Sequence, residues 1–131
     1  MWLSSLHPSQ RETLLGLAHN VVVSDGLLDP NEEGMLDEFK REMGLSSDLE
    51  SSYIELIGVD EVFDSEKSRR IALLNLLLLS YADGAFEIEE ECFLKELSKL
   101  FEVDDREFVL LESWARRFHV LEQEAKNIFS I

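Results

Sequence analysis

The chain has 131 residues, of which 28 are Asp or Glu and only 12 are Lys or Arg, so its formal charge at pH 7 is −16. Direct binding to nucleic acid or to an anionic membrane surface is therefore disfavoured, because like charges repel. Hydrophobic residues make up 45% of the chain and recur with helical periodicity, which excludes a disordered acidic tail. A chain of this length is expected to form one domain around one core.

The sequence carries no signal for secretion or for membrane insertion. Its N-terminus lacks the basic start and apolar run of a secretory signal. The longest apolar stretch, 71–82, has 12 residues, whereas a membrane span needs roughly 20. The single cysteine, Cys92, cannot form an intramolecular disulfide, which suits a reducing compartment. We therefore expect a cytoplasmic protein.

Helical periodicity, capping residues and the scarcity of proline predict an all-α fold. The first helix is expected from Ser9, where Ser9 and Glu12 have the spacing of a capping box, and the second follows Asp29 and Pro30 and ends before Gly44. The predicted helices, in chain order, cover about 9–24, 30–43, 46–57, 66–82, 87–100, 104–118 and 121–129. The fourth is apolar nearly all round, which predicts that the others enclose it.

The most informative feature is an internal repeat, because residues 58 positions apart match in type. Asp25-Gly26 aligns with Asp83-Gly84, and Glu32 aligns with Glu90. The matching apolar pairs are Leu36 with Leu94, Phe39 with Leu97, Met43 with Phe101, and Leu45 with Val103. This predicts a single-domain bundle of about six to eight helices built on two αα-hairpins related by a pseudo-twofold axis.

The repeat divides the single domain, 1–131, into four parts. Repeat 1 covers about 9–45, and repeat 2 covers about 66–103. A connector helix region at 46–65 joins them, and the C-terminal helices occupy 104–131.

The first Asp-Gly corner, 25–32, matches the second half of the calcium-binding EF-hand loop. If Asp25 is placed at loop position 5, Glu32 falls at position 12, where a bidentate Glu belongs. Positions 1 and 3 would then be Val21 and Val23, which offer no carboxylate, and the second copy fails in the same way. An EF-hand is therefore rejected.

The two segments Ser24-Asp25-Gly26-Leu27-Leu28-Asp29-Pro30-Asn31-Glu32 and Ala82-Asp83-Gly84-Ala85-Phe86-Glu87-Ile88-Glu89-Glu90 resemble the signature of the TerB-like superfamily. That superfamily includes tellurite-resistance proteins and the N-terminal region of DjlA-type membrane co-chaperones. The resemblance covers roughly 14–103, with Ser24 in place of the usual Ala and with Glu87 as a poor helix cap. It implies a small all-helical bacterial protein that is linked to tellurite or other stress responses and binds metal through acidic residues.

Carried over by position, the candidate metal ligands are Asp25, Glu32, Asp83 and Glu90. If the corners meet, four carboxylates converge, and such a cluster needs a cation such as Ca²⁺, Mg²⁺, Mn²⁺ or Zn²⁺, or a basic side chain, to neutralise it. The alternative is that these acids only cap their helices, because Glu32 and Glu90 stand at the third helical position.

The sequence offers no catalytic motif, so we expect a binding or scaffold domain rather than an enzyme. A metal-dependent hydrolase using the four acids is the weaker reading. His7, His19 and His119 lack zinc-binding spacing. The expected partner is a cation or a basic protein surface at the Asp-Gly corners. The alternative function is a purely structural interaction module, such as a homodimer, that uses apolar surface near Trp2 or Trp114, although core positions are expected for both tryptophans.

Overall fold

The computed structural model describes residues 1–23, 29–83 and 88–130. These ranges form an all-α fold, as predicted, and contain no strand. A short 3-10 helix, Leu3–Ser5, precedes six α-helices. The α-helices are α1 Pro8–Val22, α2 Pro30–Glu42, α3 Val59–Val62, α4 Glu66–Ala82, α5 Ile88–Leu100 and α6 Asp105–Phe129.

Helix α4 is the centre of the bundle and packs against α1, α5 and α6. Its apolar residues are buried on several sides, and Leu73, Leu76 and Leu77 have no solvent exposure. Burial of each such leucine contributes about 1.5–3 kcal/mol. This confirms the prediction that the other helices enclose α4.

Two polar residues interrupt the apolar surface of α4, and both are hydrogen-bonded. The Asn75 amide nitrogen donates to the carbonyls of Ile71 at 2.8 Å and Met1 at 2.9 Å, and its Oδ1 accepts from the Met1 amine at 2.8 Å. The Ser80 hydroxyl donates to Leu76 O at 3.0 Å. Asn75 thus fixes the N-terminus of the chain against α4.

The predicted helix starts are partly right. The Ser9–Glu12 capping box is wrong, because α1 begins at Pro8 and Ser9 lies inside the helix. The His7 amide instead donates to Gln10 Oε1 at 2.9 Å. The caps at Asp29 and Asp104 are confirmed, since their Oδ1 atoms accept from the amides of the third helical residues, each at 2.8 Å.

The helix predicted for 46–57 is wrong, because residues 49–55 form no regular secondary structure. Side chains of α1 and α2 bind backbone groups in and next to this segment. Asn20 Nδ2 donates to Ile54 O at 2.7 Å, and its Oδ1 accepts from Ile54 N at 3.0 Å. The buried Lys40 ammonium donates to Ser47 O at 3.2 Å and Leu49 O at 2.9 Å. These hydrogen bonds hold both ends of the segment against α1 and α2 in its irregular conformation.

The break predicted between 118 and 121 is also wrong, because α6 is one helix of 25 residues. His119 and Val120, which lie at the expected break, include neither Gly nor Pro. Nothing in the local sequence therefore ends the helix there.

The repeat offset of 58 residues reappears in the helix bounds and in the backbone hydrogen bonds. Helices α1 and α4 begin at 8 and 66, and α2 and α5 cover 30–42 and 88–100. After α2, Gly44 has a φ of 69°, and after α5, Glu102 has a φ of 58°. The next amides, of Leu45 and Val103, each donate to a helical carbonyl at 2.9 Å. The repeat is therefore structural, and the pseudo-twofold axis stays a prediction.

Arg11 and Arg69 occupy equivalent places in the two halves. Arg11 donates to Leu6 O at 3.0 Å, Met43 O at 3.1 Å and Ser4 O at 3.0 Å. Arg69 donates to Phe63 O at 2.7 Å, Phe101 O at 3.2 Å and Asp60 O at 2.9 Å. Each guanidinium thus links the segment that precedes its own helix to the C-terminal end of the second helix of the same hairpin.

Candidate protein-binding cleft

The structure describes three of the four predicted metal ligands, and Asp25 lies outside the described residues. Glu32 is half-buried in the first turn of α2, and its backbone amide binds the Asp29 side chain. Asp83 is half-buried directly after α4, and its amide donates to Leu79 O at 3.0 Å. Glu90 lies in the first turn of α5 and is 5% exposed.

In residues 1–23, 29–83 and 88–130, no three His, Cys, Asp or Glu side chains form a group that could hold a metal ion. Glu32, Asp83 and Glu90 are therefore not a metal site by themselves. The four-carboxylate cluster stays a prediction that depends on Asp25. Asp29 is the group that caps α2, and hydrogen bonding from the Glu32 amide lowers the pKa of the Asp29 carboxyl.

A cleft of about 460 Å³ opens where α2, α4, α6 and the N-terminus meet. The apolar side chains that line it include five that are buried or half-buried, and these are Met35, Phe39, Leu78, Leu79 and Phe118. Charged residues on α2 and α6 lie at its edge, and these are Glu38, Glu42, Glu122 and Lys126. An apolar lining with charged groups at the edge is the usual composition of a binding pocket.

The charge at the edge of the cleft is negative. Glu38 and Glu42 are one turn apart on α2, and both are exposed. Lys126 pairs with Glu122 at 3.3 Å on the other side of the cleft, so those two charges offset each other. The Met1 amine lies at the end of the cleft, and its burial lowers its pKa, against the opposing effect of Glu42. Glu38 and Glu42 therefore give this surface its acidic character.

The α6 side of the cleft is held by an aromatic contact with α4. The rings of Tyr81 and His119 stack with their centroids 6.0 Å apart. The Tyr81 hydroxyl donates to Glu112 Oε1 at 3.5 Å, and burial raises the pKa of Tyr81. His119 thus has a fixed orientation where it lines the cleft.

The two tryptophans lie next to this cleft, in a surface cluster. Trp2 is 58% exposed, which makes the predicted core position wrong, and its ring centroid is 6.0 Å from that of Trp114. Trp114 is half-buried at the edge of the core and stacks on Phe118 at 5.5 Å. A tryptophan pair with one exposed member is typical of an interaction surface.

Several other polar side chains have mainly structural contacts. His19 Nδ1 is 2.9 Å from the Ser51 hydroxyl. Arg70 pairs with Glu107 at 2.7 Å, whereas Arg69 binds backbone carbonyls. Cys92 is an exposed thiol.

The cleft is not predicted by the sequence pattern, although one feature of α2 points to it. Met35, Glu38, Phe39 and Glu42 alternate apolar and acidic residues on one side of α2. This spacing predicts a helix with acidic residues beside its apolar face. Only the tertiary structure shows that α6 lies across the cleft from these residues.

A scan against protein-family models and searches of curated proteins and of solved structures found no match to this chain. The TerB-like resemblance therefore stays a prediction. Among the described helices, none is long and apolar enough to cross a membrane.

Proposed function

We propose that this chain is a non-enzymatic binding domain whose cleft engages a basic, amphipathic helix of another protein. The observation that carries this proposal is the combination of an apolar lining with the exposed acids Glu38 and Glu42. Helix-in-groove recognition uses apolar residues spaced at i, i+3, i+4 and i+7. Basic residues on the same helix would lie near the acids at the edge of the cleft.

The size of the cleft suits this partner class. Its volume of about 460 Å³ is within the range of pockets that hold the anchoring side chains of a ligand. The net charge of −16 would steer a basic segment towards the protein, which raises the association rate more than it lowers the dissociation rate. Binding should therefore weaken as the salt concentration rises.

The proposal can be tested with a labelled helical peptide that has leucines at i, i+3, i+4 and i+7 and lysines elsewhere. Fluorescence anisotropy would measure its binding to the full chain, with a peptide carrying glutamates in place of lysines as the comparison. We expect saturable binding of the basic peptide, and a loss of affinity of about tenfold or more in Glu38→Lys/Glu42→Lys.

A matched control separates the cleft from the general acidity of the chain. Glu12→Lys/Glu61→Lys changes the net charge by the same amount at exposed positions that do not line the cleft. We expect this control to retain most of the affinity. Equal losses in the two double variants, or no binding of the basic peptide, would contradict the proposal.

A further inference from the structure

Helix α6 presents a second surface, on the side that faces solvent. Large apolar side chains are exposed there, with Leu110 at 69%, Leu121 at 62% and Ile128 at 64%. We define the α6 stripe as the six residues Leu110, Trp114, Arg117, Leu121, Glu124 and Ile128. Successive members are separated alternately by four and three residues, which is the spacing of the seam in a two-helix coiled coil.

The α6 stripe lies beside the packing surface of the same helix, and only Trp114 belongs to both, because its ring packs at the edge of the core. Phe108 and Ala115 of α6 are buried in the core. His119 and Lys126, which line the cleft, lie roughly half a turn around the helix from Leu121. Leu121, at the centre of the α6 stripe, does not line the cleft, although Trp114 at one end stacks on Phe118, which does. This inference does not rest on the proposed function.

The two charged members of the stripe identify the partner. Arg117 and Glu124 are exposed and seven residues apart, and no salt bridge involves either one within the described ranges. In a parallel pair of α6 helices, Arg117 would face Arg117 and Glu124 would face Glu124. In an antiparallel pair with its twofold axis between 120 and 121, Arg117 of each copy faces Glu124 of the other, and Leu121 packs at the centre.

We propose that α6 mediates an antiparallel homodimer through the α6 stripe. The contact would run from Ser113 to Ile128 of each copy, a length of about 24 Å at 1.5 Å per residue. The charge pairing is self-complementary, whereas a partner helix with a single sign of charge would satisfy only one of Arg117 and Glu124. Since each copy carries −16 charges, moderate salt should favour association by screening the long-range repulsion.

The test is sedimentation velocity on the full chain from about 5 to 200 μM at about 0.15 M salt, where long-range repulsion is screened. We expect the wild type to form reversible dimers of twice the 15.1 kDa chain mass. Leu121→Asp should weaken association by about a hundredfold or more, because it places two carboxylates at the twofold axis. Val109→Asp is the matched control, since Val109 is 59% exposed on the same helix but lies off the stripe.

Charge exchange tests the antiparallel register. Arg117→Glu or Glu124→Arg alone should each weaken dimerisation by about tenfold, because like charges then face each other. The double variant Arg117→Glu/Glu124→Arg should return to within about threefold of the wild type, because both pairs are restored. A wild type that stays monomeric at 200 μM, a Leu121→Asp variant that still dimerises, or a double variant that shows no rescue would overturn the proposal. Peptide binding at the cleft is a separate readout, and Leu121→Asp should leave it unchanged.

Discussion

Replacing Arg69 with alanine should strongly destabilise the protein, although the residue is only half-buried. Its guanidinium donates to the carbonyl oxygens of Phe63, Phe101 and Asp60 at 2.7, 3.2 and 2.9 Å, and it lies 5.8 Å from the centre of the Phe101 ring. One side chain thus connects two backbone segments, 60–63 and the end of α5 at Phe101, that are distant from each other in sequence. Alanine removes all three hydrogen bonds at once.

The size of the effect follows from these contacts. A hydrogen bond from a charged donor contributes about 1.5–3 kcal/mol, and a partly exposed cation–π contact about 0.5–1 kcal/mol. When the side chain is removed, water can reach some of these carbonyls and replace part of the lost hydrogen-bond energy. We therefore expect Arg69→Ala to lower the free energy of unfolding by about 3–5 kcal/mol, a large share of the 5–15 kcal/mol typical of a domain.

Urea unfolding followed by far-UV circular dichroism would measure this change. Arg69→Lys should recover only part of the loss, since the three N–H groups of an ammonium share one nitrogen and cannot span the three carbonyls as the nitrogens of a planar guanidinium do. Arg11→Ala should cost a similar amount, because Arg11 makes three equivalent bonds in the first half. Arg70→Ala is the matched control, and the partly exposed pair of Arg70 with Glu107 predicts a loss of at most about 1 kcal/mol. A loss below 1 kcal/mol for Arg69→Ala, or full stability in Arg69→Lys, would refute the reasoning.

Two further predictions concern contacts of α1 with the irregular segment 49–55. A Cβ on Gly16 would lie 2.7 Å from Ile54 Cγ2, so Gly16→Ala should lower the free energy of unfolding in urea by about 1 kcal/mol despite the better helix propensity of alanine. In an Ile54→Ala background, where the clash is absent, the same substitution should cause no such loss. Burial lowers the pKa of His19 from its ordinary 6.5, so the unfolded chain binds more protons just below pH 6.5. His19 should therefore destabilise the fold as the pH falls from 6.5 through its folded pKa. NMR titration should give that lower pKa, and in His19→Gln the free energy of unfolding should fall less steeply as the pH is lowered.

Much of the fold could be predicted because its signals are local. The caps at Asp29 and Asp104, the end of α2 before Gly44 and the apolar periodicity of α4 each depend on residues within a few positions of one another. The repeat could also be found from the sequence, since residue types match 58 positions apart. The left-handed conformation of Glu102, at the position equivalent to Gly44, could not be predicted, because glutamate has no preference for a positive φ.

The candidate sites were less predictable than the fold. The acids of the Asp-Gly corners stood out because they repeat in the sequence. The cleft brings together residues as distant in sequence as Met35 and Lys126, and no local sequence pattern predicts that they lie close together in space. Trp2 shows the same limit, because its large apolar ring predicted a core position, whereas the chain leaves it on the surface.

An acidic, all-α chain could be predicted from the sequence because charge, helical period and capping act over one or two turns, and the two halves because their residue types match. The irregular conformation of 49–55 depends on tertiary contacts, because Asn20 of α1 and Lys40 of α2 bind backbone groups of Ile54 and Leu49. Tertiary packing also selects the buried face of α6. One side packs on α4, and most of the α6 stripe faces solvent, because the core offers α6 only one surface to pack against.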